Sequence, residues 1–216
     1  MRNAENIKQV EALGVDMIGL DFNPKSPRYV NMINSGSGII PDKADKDMVR
    51  NGGDNKKAKL AGVFADDLPQ NIITRVYNFK LDYVQLNGDE TPEMIENLKA
   101  TVVPDIKKDL KIIKTLKISC HEDFDKYSQY EGVADLFLFD MGYEAKETYN
   151  WSVLSTYKGS TPFLLSGEIG PEDAGRIKDF SHPMLYGIDI NSRFETEPGI
   201  KDVAAISAFI KRIIKS

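Results

Sequence analysis

The chain has 216 residues, 41% of them hydrophobic and 28% charged, so it can bury a core and does not have the composition of a disordered chain. A net charge of −5 offers no basic footprint for nucleic acid, and no apolar run approaches the ~20 residues that span a bilayer. A single cysteine, Cys120, excludes an internal disulfide framework and suits a reducing cytoplasm, and no Cys/His cluster has metal-binding spacing.

The chain opens on a predicted helix, Ala4 to Leu13. Seven short apolar runs come after it, at Met17–Phe22, Leu60–Phe64, Tyr83–Leu86, Ile112–Ile118, Leu136–Asp140, Phe163–Ser166 and Leu185–Ile190. They are continuous rather than alternating, as strands buried on both faces are, which predicts a parallel sheet. Helical segments lie between them. Thr91-Pro92-Glu93 supplies an N-cap, a first-turn proline and an acid, and Gly170-Pro171-Glu172-Asp173 supplies a similar start. Val203 to Ile214 is apolar at helical spacing. Strands alternating with helices predict right-handed βαβ units. A TIM (β/α)8-type barrel that lacks its first strand gives this order; a seven-stranded open doubly wound sheet is the alternative. The expectation is one domain over residues 1–216. A polar, glycine-bearing excursion at about 34–57 reads as a loop with one short helix near Asp42–Arg50.

In a parallel barrel the chemistry sits where strands end. Leu-Phe-Leu-Phe stops on Asp140, a carboxylate at the expected mouth, where desolvation would raise its pKa and suit it to general acid work. Capping a turn is the competing role. Asn23-Pro24-Lys25-Ser26-Pro27-Arg28 stiffens a loop around Arg28, whose guanidinium can grip a carboxylate in two bonds; a plain surface arginine is the alternative. Ser166-Gly167-Glu168-Ile169-Gly170-Pro171 makes a small-residue turn before a helix, a ready anion site, and Gly187-Ile188-Asp189-Ile190-Asn191-Ser192 ends the last strand. Loops after the last two strands of such barrels often bind phosphate together. Gln85-Leu86-Asn87-Gly88-Asp89-Glu90 places polar groups at another strand end, or is ordinary turn chemistry. Cys120-His121 reads as a junction rather than a catalytic pair, and Trp151 as a packing residue.

Taken in order, Asn23-Pro24-Lys25-Ser26-Pro27-Arg28-Tyr29-Val30, Gly62-Val63-Phe64, Gln85-Leu86-Asn87-Gly88-Asp89-Glu90, Leu138-Phe139-Asp140, Leu165-Ser166-Gly167 and Gly187 to Glu195 with Pro198-Gly199-Ile200-Lys201-Asp202 resemble phosphoribosylanthranilate isomerase from Met1 almost to the C-terminus. The resemblance implies a TIM barrel of tryptophan biosynthesis that acts on a small phosphorylated substrate without metal or cofactor. The reaction implied is an Amadori rearrangement of N-(5-phospho-ribosyl)anthranilate to the 1-deoxyribulose aminoketose. By motif, Asp140 matches the general acid and Arg28 the residue that holds the anthranilate carboxylate. Ser166, Gly167, Asp189, Asn191 and Ser192 match the phosphate cradle. Gln85 and Asn87 line the pocket, although the family usually has histidine where Asn87 stands.

Three departures carry consequences. The family's general base is a cysteine in a Lys-x-Cys-Gly element ending the first strand, and Met1 to Asn6 resembles the segment directly after that element. The chain as given is then expected to be impaired and prone to self-association. Met141 to Asn150 is short and has only Gly142, where the family has a glycine-rich loop. The second glycine of the phosphate loop is Glu168, whose carboxylate would repel a phosphate at ~4 Å by about 4 kcal/mol at an effective dielectric of about 20, unless it points outward. A catalytically degenerate phosphate-binding barrel, serving as a binding or structural protein, is therefore the second reading. The related indole-glycerol-phosphate synthase is a third, and the Arg28 loop argues against it. The sequence leaves the oligomeric state open.

Overall fold

The structure is a computed structural model that describes residues 1–35, 38–41, 58–141 and 151–214. The apolar runs form the strands β1 (Met17–Asp21), β4 (Lys59–Phe64), β5 (Tyr83–Leu86), β6 (Lys111–Lys117), β7 (Leu136–Asp140), β8 (Phe163–Ser166) and β9 (Leu185–Ile188). All are parallel neighbours in one sheet of order β1-β4-β5-β6-β7-β8-β9, which is the strand order of a curled (β/α) barrel. The expected strand bounds hold to within two residues, the usual uncertainty of an end.

Both faces of the sheet are covered, which is why the strands read as unbroken apolar runs. Successive side chains alternate between faces. Along β7, Leu136 and Leu138 join Ala61, Tyr83, Ile113 and Leu164 in one cluster on the concave face. Phe137 and Phe139 turn the other way into the larger core, with Phe22, Phe64, Phe163 and the helices. Those helices are α1 (Ala4–Glu11), α2 (Pro69–Phe79), α3 (Pro92–Asp105), α4 (Ala174–Asp179) and α5 (Val203–Ile214). Their starts reflect local sequence. The Asn3 side chain caps α1 by accepting from Asn6 N at 2.8 Å, Thr91 caps α3 by accepting from Met94 N at 3.3 Å, and Asp202 accepts from Ala205 N at 2.9 Å.

The outermost strands are β1 and β9. Gly19 on β1 and Tyr186 on β9 are exposed, and the Met1 amino group donates to the Gly19 carbonyl. Two segments differ from expectation. Among the described residues, the connections after β6 and β7 carry 3₁₀ turns, His121–Lys126, Ser128–Tyr130 and Trp151–Thr156, where α-helices are expected. The polar excursion begins not as a loop but as an antiparallel hairpin, β2 (Met32–Ser35) with β3 (Gly38–Pro41). Met32-Ile33 and Ile39-Ile40 are strand formers, and local pairing wins over the polarity of the segment as a whole. The short helix expected near Asp42–Arg50, and residues 142–150 after β7, lie outside the described residues. A second small ribbon, β10 (Glu195–Glu197) with β11 (Ile200–Lys201), comes after β9.

Candidate active site

Because the main strands are parallel, their C-terminal ends lie together at one end of the sheet, and most of the expected residues fall there. Asp140 ends β7 and is half-buried. Its backbone is fixed on both sides, with Ile118 N donating to Asp140 O at 2.9 Å and Met141 N to Ser166 O at 3.2 Å. Its carboxylate lies against Gly167: a Cβ added there would sit 3.1 Å from Asp140 Oδ1 and 2.8 Å from Met141 N. Gly167 also has φ +105°, so both space and backbone demand glycine at this point.

Ser166 ends β8, and its hydroxyl donates to Asp189 Oδ2 at 2.7 Å. The Asp189 backbone continues the β9 ladder, donating to Leu165 O at 2.8 Å. Burial pushes the Asp189 carboxyl above its ordinary pKa, against the opposing pull of the Ser166 hydroxyl and Lys201, and the nearby Asp140 adds to the rise. Asp140, Ser166, Gly167 and Asp189 thus form one acidic corner across β7, β8 and β9. Beyond it, Ser192 donates its hydroxyl to Glu168 Oε1 at 3.1 Å, joining the loops after β8 and β9. Arg193 pairs with Glu172 across the same two loops.

Arg28 is held as its proline-bracketed loop predicts. Arg28 N donates to Ser26 Oγ at 3.1 Å, and Val30 N returns to Asp21 O at 2.8 Å. Its guanidinium, however, is engaged within the chain. Nε reaches both Glu195 oxygens at 3.0 and 2.9 Å, and Nη2 reaches Oε2 at 2.7 Å. Hydrogen bonding to Glu195 raises the Arg28 pKa despite partial burial. Burial acts to raise Glu195, but Arg28 and Lys201 outweigh it and hold the carboxyl below its ordinary value. Lys201 Nζ donates to Glu195 Oε1 at 3.0 Å and to Asn191 Oδ1 and O at 2.7 and 3.0 Å. Burial lowers the Lys201 pKa. Asn191 is therefore a partner of Lys201 rather than an open group beside Ser192.

Gln85 and Asn87 meet at the ends of β5 and β6. Gln85 Nε2 donates to Asn87 Oδ1 at 2.9 Å, and the Thr115 hydroxyl donates to the same oxygen at 2.5 Å. Under this pair lies a buried network. Lys114 Nζ donates to Glu90 Oε2 at 2.9 Å and to Gly88 O at 2.5 Å, while Glu90 Oε1 accepts from Asp66 N at 2.9 Å and Gly88 N at 3.3 Å.

Sequence motifs alone give no role to Glu195, Lys201 or Lys114. Lys114, directly after Ile112-Ile113 in the run Ile112–Ile118, is the visible sign of a buried, paired charge, whereas Lys117 near the strand end is exposed. Glu195 and Lys201 carry no such sign, because their meeting with Arg28 depends on β9, β10 and β11 folding back together. Cys120 and His121 form no pair: both are exposed, Cys120 Sγ points to Asp123 Oδ2 at 3.6 Å, and His121 Nδ1 contacts Thr156 Oγ1 at 3.3 Å. Glu122 hydrogen bonding pushes the thiol pKa up, the opposite of what a thiolate base requires. Trp151 packs as expected, edge-on to Phe180 and under the Arg176 guanidinium. Among the described residues no group of three or more His, Cys, Asp or Glu could hold a metal, and no helix is long and apolar enough to cross a membrane.

Comparison with known proteins adds to this geometry. The profile of the N-(5'phosphoribosyl)anthranilate (PRA) isomerase family matches residues 3–212. The chain is 38% identical over 218 residues to the N-(5'-phosphoribosyl)anthranilate isomerase of Parabacteroides distasonis, covering 99% of this chain and 90% of that one. It is 37% identical over 217 residues to the protein of the same name from Phocaeicola vulgatus, covering 99% and 94%. Its fold is similar, with a TM-score of 0.73 and 25% identity over 99% of this chain and 94% of the other, to a phosphoribosyl anthranilate isomerase crystallised with reduced 1-(o-carboxyphenylamino)-1-deoxyribulose 5-phosphate.

Proposed function

The chain belongs to the N-(5'-phosphoribosyl)anthranilate isomerase family, the isomerases of tryptophan biosynthesis, and from that premise we propose how its residues carry the reaction. The substrate is an aminoaldose with a phosphate at one end and a carboxylate at the other. Asp140 gives its proton to the ribose ring oxygen, the ring C1–O bond breaks, and a protonated Schiff base remains. Loss of the proton on C2 gives the enolamine, which tautomerises to the aminoketose. The observation that carries this reading is the half-buried Asp140 carboxylate set against Gly167, between the β8 loop and Asp189. A group that must donate and later regain a proton belongs where water is partly excluded and a phosphate-anchored sugar can reach it.

The phosphate is assigned to the turn Ser166-Gly167-Glu168 and to Ser192. Asp189 holds the Ser166 hydroxyl in place. Asn191 contributes through the backbone it shares with Ser192, its side chain being committed to Lys201. The anthranilate carboxylate is assigned to Arg28, which would share its fork between substrate and Glu195. Gln85 and Asn87 would line the sugar side of the pocket. The proton on C2 falls, in the family reading, to a Lys-x-Cys-Gly cysteine. That element does not occur in these 216 residues, and Cys120 is not suited to replace it. A single exposed cysteine also supports a reducing cytoplasmic location.

The test monitors the loss of phosphoribosylanthranilate fluorescence with the full-length protein, alongside calorimetric binding of the reduced product analogue. One analogue site per chain is expected, with poor turnover by these 216 residues and full turnover when the Lys-x-Cys-Gly element is supplied ahead of Met1. Binding without turnover even with that element would favour the degenerate phosphate-binding barrel, and neither binding nor turnover would contradict both readings.

A further inference from the structure

The loop after β8 contains an oddity that the proposed reaction does not use. Glu168 adopts φ +45° directly after Gly167 at φ +105°. Two successive residues in the left-handed region curl the backbone into a concave turn, and such turns favour glycine at both places. A glutamate held there against its backbone preference needs something to hold it. Its carboxylate reaches across to the loop after β9, where Ser192 Oγ donates to Oε1 at 3.1 Å. Glu168 also lies within the field of Arg28. The two loops that would together grip a phosphate are thus already bridged by an anion of the chain itself. The Arg193–Glu172 pair closes the same two loops further out.

We propose that Glu168 is an internal anion seated at the phosphate position between the β8 and β9 loops, so that a phosphorylated ligand binds only by displacing its carboxylate from Ser192. The inference rests on the phosphate assignment to these loops and makes Glu168 a residue that sets affinity for the phosphoryl end. Charge alone has two consequences. A displaced carboxylate remains close to the phosphate and repels it, and the repulsion is screened by salt. The group acts at the phosphoryl end, so it bears on binding far more than on proton transfer at Asp140.

Two variants separate charge from shape. Glu168→Gln keeps the length and an oxygen for Ser192 but removes the charge. Glu168→Gly removes the side chain and relieves the backbone. Calorimetric titration with inorganic phosphate and with the reduced product analogue, plus kcat and KM, gives the readout. The expected result is about tenfold tighter phosphate and analogue binding in Glu168→Gln, at least as much in Glu168→Gly, a KM that falls more than kcat changes, and a gain that shrinks as salt rises. If the wild-type protein binds the analogue and neither variant binds it more tightly, Glu168 is no competitor and the proposal is wrong. If no form binds phosphate or analogue, the phosphate assignment itself fails and the proposal falls with it.

Discussion

Replacing Lys114 by methionine should cost this protein a large part of its stability. Lys114 stands in β6 with 2% of its side chain exposed, paired with Glu90, whose side chain is equally buried. Its ammonium donates to Glu90 Oε2 at 2.9 Å, Gly88 O at 2.5 Å and Leu86 O at 3.5 Å, and lies 5.5 Å from the centre of the Tyr130 ring. Tyr130 in turn donates its hydroxyl to Glu90 O at 3.0 Å. Methionine preserves length and volume but leaves the Glu90 carboxylate buried, with only the Asp66 and Gly88 N–H groups facing it. Breaking a buried pair from one side costs about 3–5 kcal/mol, out of a total near 5–15 kcal/mol for a typical domain. For a chain of this size that is a fall in Tm of about 6–20 °C. The local effect should reach the site, because the same network seats Gly88. A Cβ at Gly88 would come within 2.6 Å of Asp66 N, so the turn that carries Gln85 and Asn87 has little room to resettle. Urea unfolding of Lys114→Met, Glu90→Gln and the double variant forms a thermodynamic cycle. The expected outcome is a severe loss in Lys114→Met and partial recovery in the double variant. A loss below about 1 kcal/mol, the level of an exposed pair, or a cycle with no coupling would refute the reasoning.

The acidic corner and the Arg28 clamp lead to two further outcomes. Asp189 has its carboxyl raised by burial above the ordinary 3.8, so the folded chain keeps a proton that the unfolded chain has already released, and stability is lost as pH rises through the folded value. Asp189→Asn does not titrate; its stability relative to wild type should therefore grow as pH is raised from about 4 towards 7, read from the urea midpoint at each pH, and a flat difference would contradict the shift. Arg28→Lys replaces a fork by a point charge and loses most of the three bonds to Glu195, so a loss of about 1–3 kcal/mol and a KM raised about tenfold are expected. Unchanged stability and KM would show that Arg28 anchors neither Glu195 nor substrate.

Much of this fold is legible in the sequence because local rules agree with the global one. Leu136–Asp140 and Phe163–Ser166 are apolar up to their last residues since each faces packed side chains on both sides, and that requirement leaves a mark on every residue before the polar strand end. Thr91-Pro92 marks a helix start through chemistry confined to a few neighbouring residues. The hairpin at Met32–Pro41 is harder to see, because its two short apolar pairs are diluted by the polar residues around them. At the site, strand ends alone are enough to place Asp140, Ser166 and Asp189. They are not enough for ion pairs between residues far apart in sequence. Arg28 and Glu195 are 167 residues apart, and only tertiary structure reveals that a guanidinium suited to a substrate carboxylate already holds one of the chain's own. Glu168 shows the same limit. Its identity is plain, but the direction of its carboxylate depends on where Ser192 lies.

The role assigned to Asp140 is open to one decisive comparison. Asp140→Asn keeps the size of the side chain and removes the transferable proton. Measured by loss of substrate fluorescence in a chain carrying the Lys-x-Cys-Gly element ahead of Met1, kcat should fall about 10²–10⁴-fold, the range a positioned acid contributes. Calorimetric affinity for the reduced product analogue should change only a few-fold, because the phosphate and carboxylate ends are assigned to other residues. Turnover by Asp140→Asn at the wild-type kcat would mean that another group supplies the proton, and the assignment of this carboxylate as the general acid would be wrong.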